Sequence, residues 1–222
     1  MDNSRVVSTG PAEGTPFGYI YEGNTESLDH RYTVPAVLEV LAKSDLGKRV
    51  FDAGCGNGVA ANLISQKGYE VTGVDPAPTG IENANKQYPH LHLEIGSVYE
   101  SLASRYGQFP YVVSLEVIEH LFYPRQMAKT LFDLTEPGGY TIISTPYHGY
   151  LKNLAIALAG KFDFHVKPLW DCGHIKFFSI NTLTELLRET GYVEVKFLRL
   201  GRIPCLAKSM LAVARKNAPV SP

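Results

Sequence analysis

The fold of this chain is decided by one glycine-rich stretch, Phe51-Asp52-Ala53-Gly54-Cys55-Gly56-Asn57-Gly58, which joins a strand pattern to a helix pattern. Residues 49–53 predict a short buried strand, and residues 59–67 predict a helix that ends at Gly68. Glycine tolerates positive φ and lets a ligand approach the backbone closely. The helix that follows offers unpaired N–H groups at its N-terminus. The stretch therefore predicts a strand–loop–helix unit that binds a ligand.

Strands and helices alternate along most of the remaining chain. Strand patterns occur at residues 49–53, 69–74, 91–95, 111–115, 140–144, 193–200 and 207–215. Alternation of this kind predicts a parallel sheet with helices on both faces. The last two strands are joined only by residues 201–206, too few for a crossover helix, so they should be antiparallel. We predict an α/β fold with a seven-stranded, mostly parallel sheet and one antiparallel strand.

Length and composition indicate one soluble globular domain. The chain has 222 residues, of which 45% are hydrophobic and 19% charged, so it can form a sizeable core. A formal net charge of -1 argues against a nucleic-acid partner. The sequence shows no secretory signal and no apolar run that could span a bilayer. Cys55, Cys172 and Cys205 fit neither a disulfide framework nor a zinc ribbon, and we expect a cytoplasmic protein.

Three segments depart from the alternation of strands and helices. Residues 1–16 and 217–222 are rich in small and polar residues and proline, so we expect mobile tails on either side of one domain at residues 17–216. In residues 145–180, aromatic residues and histidines accompany an apolar run. Because this insertion follows the carboxyl end of a strand, where open α/β sheets bind ligands, we interpret it as a lid. An extra core helix without a functional role is the alternative.

The loop spacing and two nearby aspartates indicate which ligand the unit binds. The spacing is Gly-x-Gly-x-Gly, whereas a dinucleotide fingerprint requires Gly-x-Gly-x-x-Gly, so a dehydrogenase is disfavoured. Asp52 would repel a pyrophosphate but can hold an ammonium group. Asp75 ends the second strand, where a carboxylate can accept both hydroxyls of a ribose, although it can also simply cap a turn. S-adenosylmethionine combines a ribose, a carboxylate for the helix N-terminus and a cationic amine.

With these features the sequence resembles the class I S-adenosylmethionine-dependent methyltransferases. The resemblance rests on residues 51–58, Asp75, residues 111–121, Pro137-Gly138-Gly139 and the last antiparallel strand pair. It implies a Rossmann-like sheet with the strand order 3-2-1-4-5-7-6. Residues 17–21 and 30–32 can fold over such a cofactor, although they can also be an ordinary solvated helix start.

The resemblance also implies which residues contact the cofactor. Residues 52–58 would line its methionine part. Asp75 would hold the ribose hydroxyls, and Pro76 would lie beside the adenine. Many members of the family place an aspartate against the adenine amino group after the third strand. This chain has Gly96-Ser97-Val98 there, so the Ser97 hydroxyl or the Val98 backbone would take that role. The implied contacts are Asp52, Ala53, Gly54, Cys55, Gly56, Gly58, Asp75, Pro76, Ser97, Val98, Leu115 and Glu116.

A Glu-x-x-Glu-His element follows the fourth strand. Glu116, Glu119 and His120 lie at positions i, i+3 and i+4, which share one face of a helical turn. The element resembles one in the ubiquinone-biosynthesis catechol O-methyltransferases and the small-RNA 2′-O-methyltransferases, where it is associated with a divalent metal. Residues 173–179 resemble a later histidine-containing stretch of these families, which makes His174 the implied fourth ligand beside Glu116, Glu119 and His120.

These residues leave three chemical interpretations open. A divalent ion such as Mg²⁺, Mn²⁺, Fe²⁺ or Zn²⁺ can polarise an acceptor hydroxyl and orient it for attack on the methyl group. Without an ion, His120 or His174 is the candidate general base, with Glu116 as a third catalytic candidate. The element can also be polar lining with no catalytic role.

The aromatic lid residues favour methylation of an oxygen on a small apolar or aromatic acceptor. These residues are Tyr147, Tyr150, Phe162, Phe164 and Trp170. An N-methyltransferase of a small amine or amino-acid derivative and a non-catalytic cofactor-binding scaffold are the alternatives. A quinone-precursor enzyme at the membrane surface would use residues 154–159 for peripheral contact. We expect no nucleic-acid partner, and either a monomer or a homodimer.

Overall fold

The computed structural model describes residues 20–21, 27–166, 168–170 and 172–218. The predicted tail at residues 1–16 lies outside these residues, as does most of the predicted tail at the other end. The helices are α1 (His30–Ser44), α2 (Val59–Ser65), α3 (Pro78–Gln87), α4 (Leu102–Tyr106), α5 (Pro124–Leu134), α6 (Tyr150–Leu158), α7 (Phe162–Val166) and α8 (Ile180–Thr190). The strands are β1 (Arg49–Ala53), β2 (Glu70–Asp75), β3 (His92–Ile95), β4 (Phe109–Leu115), β5 (Thr135–Pro146), β6 (Glu194–Leu200) and β7 (Ser209–Arg215).

The seven strands form one sheet in the order β3-β2-β1-β4-β5-β7-β6. Strands β1 to β5 pair in parallel, and β7 runs antiparallel to both β5 and β6. The short connection between β6 and β7 contains only a 3₁₀ helix, Pro204–Leu206, so the chain has to reverse there. The predicted α/β fold, strand order and reversed strand are confirmed.

The hydrophobic core lies on both faces of the sheet, because successive strand residues point to opposite faces. Val50 and Tyr111 are fully buried on the face that α1 and α2 cover. Phe51 and Val112 are fully buried on the other face, against α5 and α8. Each fully buried side chain of this size contributes about 1.5–3 kcal/mol. The central strands are therefore held firmly, and their carboxyl ends form a rigid edge.

The structure differs from the sequence prediction at two elements. Helix α4 was not predicted, because its five residues are too few to show a helical period. Strand β5 begins at Thr135 rather than at residue 140, and the pairing of β4 with β5 shifts register between Phe109 and Tyr111. A bulge of this kind accommodates the prolines that lie in both strands, Pro110 and Pro137.

The insertion at residues 145–180 contains α6 and α7. Neither helix has a buried residue, so the alternative of an extra core helix is wrong. Its action as a lid stays a prediction.

Among the described residues, no helix combines the length and the apolar content that are needed to cross a membrane.

Candidate functional site

The parallel strands bring the predicted site residues to one edge of the sheet. Strand β1 ends at Ala53 and β2 at Asp75. Leu115 ends β4 and pairs with Ser144 near the end of β5. The glycine loop at residues 54–58 and the Glu-x-x-Glu-His element both start from these ends, where open α/β sheets bind ligands.

Backbone conformation and close packing explain why two positions of the loop are glycine. Gly54 and Gly56 have φ values of +92° and +54°, in the region that favours glycine. A Cβ at Gly54 would lie 2.5 Å from Val117 Cγ2, and one at Gly56 would lie 2.6 Å from the Tyr21 hydroxyl oxygen. A side chain at either position would displace a neighbour that borders the loop.

Tyr21 lies over the glycine loop. A Cβ at Gly80 would also meet its ring, at 2.8 Å. The Tyr21 N–H donates to Thr79 Oγ1 at 3.1 Å, and the Tyr21 carbonyl accepts from Asn83 Nδ2 at 3.1 Å. Tyr21 belongs to the segment that was predicted to fold over the cofactor, and most of that segment lies outside the described residues.

Asp75 is buried beneath the loop and is 7% exposed. Its Oδ2 accepts a hydrogen bond from the Gly56 N–H at 2.9 Å, and its Oδ1 accepts one from the Ala77 N–H at 2.9 Å. Burial raises the pKa of Asp75 to about 6, although these two hydrogen bonds act to lower it. Each oxygen keeps a further lone pair that can accept from a ribose hydroxyl. Pro76 follows directly and is half-buried.

Asp52 has a carboxyl oxygen without a partner. The residue is 1% exposed, and its Oδ2 has no hydrogen-bond partner among the described residues. Burial, followed by the charge of Asp75, raises the pKa of Asp52 to about 7. Burial and then both aspartate charges also raise the pKa of the Cys55 thiol. Since buried polar atoms are normally hydrogen-bonded, the unpaired Asp52 oxygen suits a cationic group of a ligand.

The remaining predicted cofactor contacts lie at the same edge. Ser97 Oγ accepts from the Tyr99 N–H at 3.2 Å, and the Ser97 N–H donates to Glu100 Oε1 at 3.1 Å. The Ser97 hydroxyl hydrogen can still donate to a ligand. Val98 and Leu115 are buried.

Glu116 has an unusual backbone conformation, with φ at +54° in the left-handed region. Its N–H lies 3.1 Å from the Ser144 carbonyl and 3.0 Å from Ser144 Oγ, and that hydroxyl donates to Glu116 Oε1 at 2.8 Å. The 3₁₀ helix Ile118–His120 begins only after it. The prediction that Glu116 shares one face of a helical turn with Glu119 and His120 is therefore wrong. The hydrogen bonds to Ser144 hold the Glu116 backbone at the end of the β4–β5 pairing.

The carboxyl groups of Glu116 and Glu119 lie close enough for each to shift the pKa of the other. Burial is the main cause that raises both pKa values. The pKa of Glu116 rises to about 7, with a further contribution from the charge of Asp29. The pKa of Glu119 is also raised by the charge of Glu116. Ser209 lies near Glu116 and acts to lower its pKa, and Thr145 Oγ1 donates to Glu119 Oε2 at 3.0 Å. The pair therefore retains a proton near neutral pH.

Glu119, His120 and His174 converge on one point. One ligand atom from each lies within 4.8 Å of the others, and the two imidazole centroids are 4.8 Å apart. Glu119 is fully buried, and its Oε1, which has no hydrogen-bond partner in the described part of the chain, lies 4.0 Å from His174 Nε2. Glu116 lies beside this group rather than in it.

Two backbone carbonyls orient His120. Its Nδ1 lies 2.8 Å from the Cys172 oxygen and 3.3 Å from the Gly173 oxygen. Because a carbonyl can only accept, Nδ1 carries a proton and Nε2 keeps its lone pair. Burial lowers the pKa of His120, and the two carbonyls partly oppose this effect. A neutral imidazole held through Nδ1–H can act as a base or as a metal ligand.

Backbone hydrogen bonds hold the segment that carries His174. The N–H groups of Ile175 and Lys176 donate to the Glu119 carbonyl at 2.9 and 3.0 Å. The ring centroid of Trp170 lies 5.6 Å from that of His174. The insertion therefore contributes an imidazole to a site that is otherwise built from the carboxyl ends of strands.

Sequence reasoning missed the hydroxyl groups that surround the carboxyl pair. They belong to Ser144, Thr145 and Ser209. Ser144 and Thr145 had a signal, since two hydroxyl residues end an otherwise apolar strand pattern. Ser209 had none, because only the antiparallel pairing of β7 with β5 brings it there.

The strand order, the glycine loop and the two buried aspartates define a class I S-adenosylmethionine-dependent methyltransferase. Residues 26–196 match the family model described as a methyltransferase domain. The chain belongs to this family and is an S-adenosylmethionine-dependent methyltransferase.

The relatives include two ubiquinone biosynthesis O-methyltransferases. The protein from Psychrobacter arcticus is 26% identical over 206 residues, which cover 90% of this chain and 75% of that protein. The protein from Caulobacter sp. is 35% identical over 118 residues, which cover 51% of this chain and 46% of that protein. The chain therefore spans about half the length of the second relative.

A solved structure supports the fold. Magnesium protoporphyrin IX methyltransferase from Synechocystis PCC 6803, with bound S-adenosylhomocysteine, superposes with a TM-score of 0.67 and 18% identity, over 89% of this chain and 90% of that chain. At this identity the likeness concerns the fold alone.

Proposed function

We propose that this methyltransferase methylates a hydroxyl oxygen of a small apolar or aromatic molecule. The proposal is carried by the convergence of Glu119, His120 and His174 at the ligand edge of the sheet. A hydroxyl has to lose a proton as its oxygen is methylated, and this group offers a neutral imidazole to receive it. The names of the two O-methyltransferase relatives also support this chemistry.

In this proposal the cofactor binds to the glycine loop and the two aspartates. Asp52 Oδ2 accepts from the cofactor ammonium, which supplies a partner that this buried oxygen lacks among the described residues. Asp75 accepts from the ribose hydroxyls. The adenine lies by Pro76, Ser97 and Val98. The methionine part is lined by Ala53, Gly54, Cys55, Gly56, Gly58, Leu115 and Glu116.

The reaction is an in-line displacement at the methyl carbon. The bond from the acceptor oxygen to carbon forms while the sulfur–carbon bond breaks, and the sulfonium becomes the neutral thioether of S-adenosylhomocysteine. Holding the reactants in this geometry supplies much of the rate. The hydroxyl proton passes to His120 Nε2, whose ring is fixed through Nδ1. The Glu119 carboxyl then stabilises the positive charge that develops on the imidazoles.

Glu119, His120 and His174 also fit a divalent cation. The unpaired Oε1 of Glu119 and the neutral His120 held through Nδ1–H are features of a metal-binding set. These three residues would hold the ion, with Glu116 supporting Glu119. Two imidazoles and one carboxylate suit Mn²⁺, Fe²⁺ or Zn²⁺ better than Mg²⁺. When bound, such an ion would polarise the acceptor hydroxyl and lower its pKa.

A matched pair of acceptors tests the reaction. Incubation with S-adenosylmethionine and either catechol or 2-aminophenol should yield O-methylated products, identified by mass spectrometry and NMR. Methylation of the amine alone would overturn the proposal in favour of an N-methyltransferase. Cofactor binding without turnover of any hydroxylated or amine acceptor would favour a non-catalytic scaffold. Elemental analysis, and assays with and without EDTA, separate the metal-dependent mechanism from the histidine-base mechanism.

The affinity for S-adenosylhomocysteine should fall about 10- to 100-fold between pH 8 and pH 5. Asp52, with a pKa of about 7 in the folded protein, is ionised at the higher pH and protonated at the lower one. Only the ionised carboxylate attracts the ammonium of the ligand. Isothermal titration calorimetry measures the effect, and Asp52→Asn should bind weakly with a smaller pH dependence, which Asp75 with its pKa of about 6 still contributes. A wild-type affinity that stays constant down to pH 5 would contradict the assignment.

The free energy of unfolding of the cofactor-free protein should fall as the pH rises, whereas the affinity for S-adenosylhomocysteine should rise. Because the pKa of Asp52 is raised, the folded protein binds more protons than the unfolded chain between the two pKa values. Stability should therefore decline as the pH rises from about 4 to about 7. Urea titrations across this range measure the trend, with Asp52→Asn as the comparison.

Peripheral membrane contact is a second proposal, which the exposed apolar side chains of the insertion favour. They are Tyr150, Leu151, Leu154, Leu158, Phe162, Phe164 and Leu169. A face of this kind can enter the interfacial region of a bilayer. Leu158→Glu, at a side chain that is 80% exposed, should lower co-sedimentation with phosphatidylglycerol vesicles about fivefold. Val193→Glu, at an exposed position before β6, is the matched control.

The same variants distinguish a membrane from a second copy of the chain. If light scattering shows a homodimer that Leu158→Glu dissociates, and vesicles do not bind, the apolar face belongs to a dimer interface. That outcome would reject membrane contact.

A further inference from the structure

A tight turn of the insertion lies against the imidazole of His120. The turn runs from Trp170 to Gly173, and the Gly173 N–H donates to the Trp170 carbonyl at 3.0 Å. Within it, Cys172 has φ at +61°, in the left-handed region. The carbonyl oxygens of Cys172 and Gly173 lie 2.8 and 3.3 Å from His120 Nδ1. The turn therefore holds one edge of this imidazole with its backbone, and it ends directly before His174.

The indole of Trp170 packs against both imidazoles of the site. Its ring centroid lies 5.8 Å from that of His120, with the ring planes at 85°, and 5.6 Å from that of His174, with the planes at 57°. The two imidazole centroids are 4.8 Å apart, so the three rings form a triangle. Edge-to-face and tilted pairs at these distances are favoured arrangements of aromatic rings. The indole therefore restricts the rotation of both imidazoles.

The backbone of Gly173 allows the indole to lie this close to the turn. A Cβ at Gly173 would lie 2.8 Å from the Trp170 carbonyl oxygen and 3.3 Å from Trp170 Cε3. A side chain there would push the turn or the indole out of place. Trp170 is also the only tryptophan in the sequence, so the indole signals of the protein report on this one position.

We propose that Trp170 is a positioning residue of the methyl-transfer site, and that it acts by fixing the rings of His120 and His174. In the proposed function His120 Nε2 receives the hydroxyl proton, which requires the imidazole to keep one orientation toward the acceptor. The turn carbonyls hold one edge of that imidazole, while the indole and the second imidazole pack against it. This inference rests on the proposed function, and it adds the residue that orients the proton acceptor.

Kinetics with catechol test the positioning role. Trp170→Leu should lower kcat about 10- to 100-fold while the KM for catechol changes less than about twofold, because a displaced proton acceptor slows the chemistry without removing a binding contact. Trp170→Phe keeps a ring in the triangle and should recover most of the loss. Phe122→Leu, a similar exchange at a ring that is 67% exposed, is the control. A higher KM with unchanged kcat would overturn the proposal, because the indole would then contact the acceptor instead.

Nuclear magnetic resonance measures the orientation of the rings without turnover. In the wild type, the indole should give nuclear Overhauser effects to ring protons of His120 and His174. Because two carbonyls accept from Nδ1, nitrogen chemical shifts should show His120 in a single tautomer with its proton on Nδ1. Trp170→Leu should lose this single tautomer, while the signals of His92, whose side chain is 63% exposed, should not change. Unchanged signals of both site imidazoles in Trp170→Leu would overturn the proposal.

The two measurements separate failure of the positioning role from failure of the proposed reaction. If Trp170→Leu alters the imidazole signals but the wild type methylates neither catechol nor 2-aminophenol, the positioning role stands and the proposed reaction fails. If the wild type methylates catechol and Trp170→Leu retains its kcat, the reaction stands and the positioning role is rejected. Trp170→Met keeps a large apolar side chain without a ring, so it replaces Trp170→Leu if that variant does not fold, and it should show the same losses.

Discussion

Replacing Glu119 with alanine is expected to lower kcat about 10³-fold while the affinity for S-adenosylhomocysteine changes little. Glu119 is fully buried and contacts Glu116, Thr145 and His174 around the position proposed for the acceptor hydroxyl. Its loss removes the carboxyl that the proposal uses to stabilise charge on the imidazoles, and it removes a metal ligand if an ion is required. Product formation with catechol and calorimetric titration of S-adenosylhomocysteine measure the two effects separately.

The main concern with this variant is loss of structure, because Glu119 is buried. Glu119→Gln keeps the volume and the hydrogen bond to Thr145, so it should fold and still lose most of the activity. Glu185→Ala, at an exposed position on α8, is the control and should retain wild-type kcat. An active Glu119→Gln enzyme with a wild-type melting temperature would show that the carboxyl has no catalytic role.

Replacing Asp75 with asparagine is expected to weaken S-adenosylhomocysteine binding about 100-fold or more. Hydrogen bonds to a charged group are each worth about 1.5–3 kcal/mol, and Asp75 is proposed to accept two from the ribose. The amide also cannot reproduce both existing bonds, because its NH₂ would face the N–H of either Gly56 or Ala77. The loss of the ribose hydrogen bonds and the disturbed position of the side chain both lower the affinity for S-adenosylhomocysteine. Calorimetry at pH 8 measures the loss of affinity.

The stability of this variant provides an independent check. Burial raises the pKa of Asp75 to about 6, so the ionised carboxylate destabilises the folded protein at pH 8. Asp75→Asn removes that charge and should therefore lose ligand affinity without a comparable loss of melting temperature. Asp133→Asn, at an aspartate on α5 that pairs with Lys129, is the control for the loss of a carboxylate. Wild-type affinity in Asp75→Asn would reject the ribose assignment.

Local sequence patterns predicted the part of the site that we propose binds the cofactor. The loop at residues 54–58 and Asp75 lie within short segments whose strand and helix periods are visible in the sequence. The strand order followed from the resemblance, and the antiparallel direction of β7 followed from a short connection. Helix α4 was not predicted, because it is too short to show a helical period. The early start of β5 was not predicted, because it depends on a bulge.

The group of residues that we propose to be catalytic depends on contacts that no local sequence pattern encodes. The resemblance singled out His174, but only the docking of residues 175 and 176 on the Glu119 carbonyl places its imidazole beside Glu119. The left-handed backbone of Glu116 arises from its hydrogen bonds to Ser144 on a neighbouring strand. Neither arrangement is a property of the residues that flank it in the chain.

The sequence by itself determined the class of fold and the glycine loop, because strand and helix periods and glycine turns are properties of consecutive residues. The tertiary structure alone decided the raised pKa values of Glu116 and Glu119, the lowered pKa of His120 and the convergence of Glu119, His120 and His174. These features depend on burial and on partners far apart in the chain, and both arise only when the insertion and β7 pack against the carboxyl ends of the parallel strands.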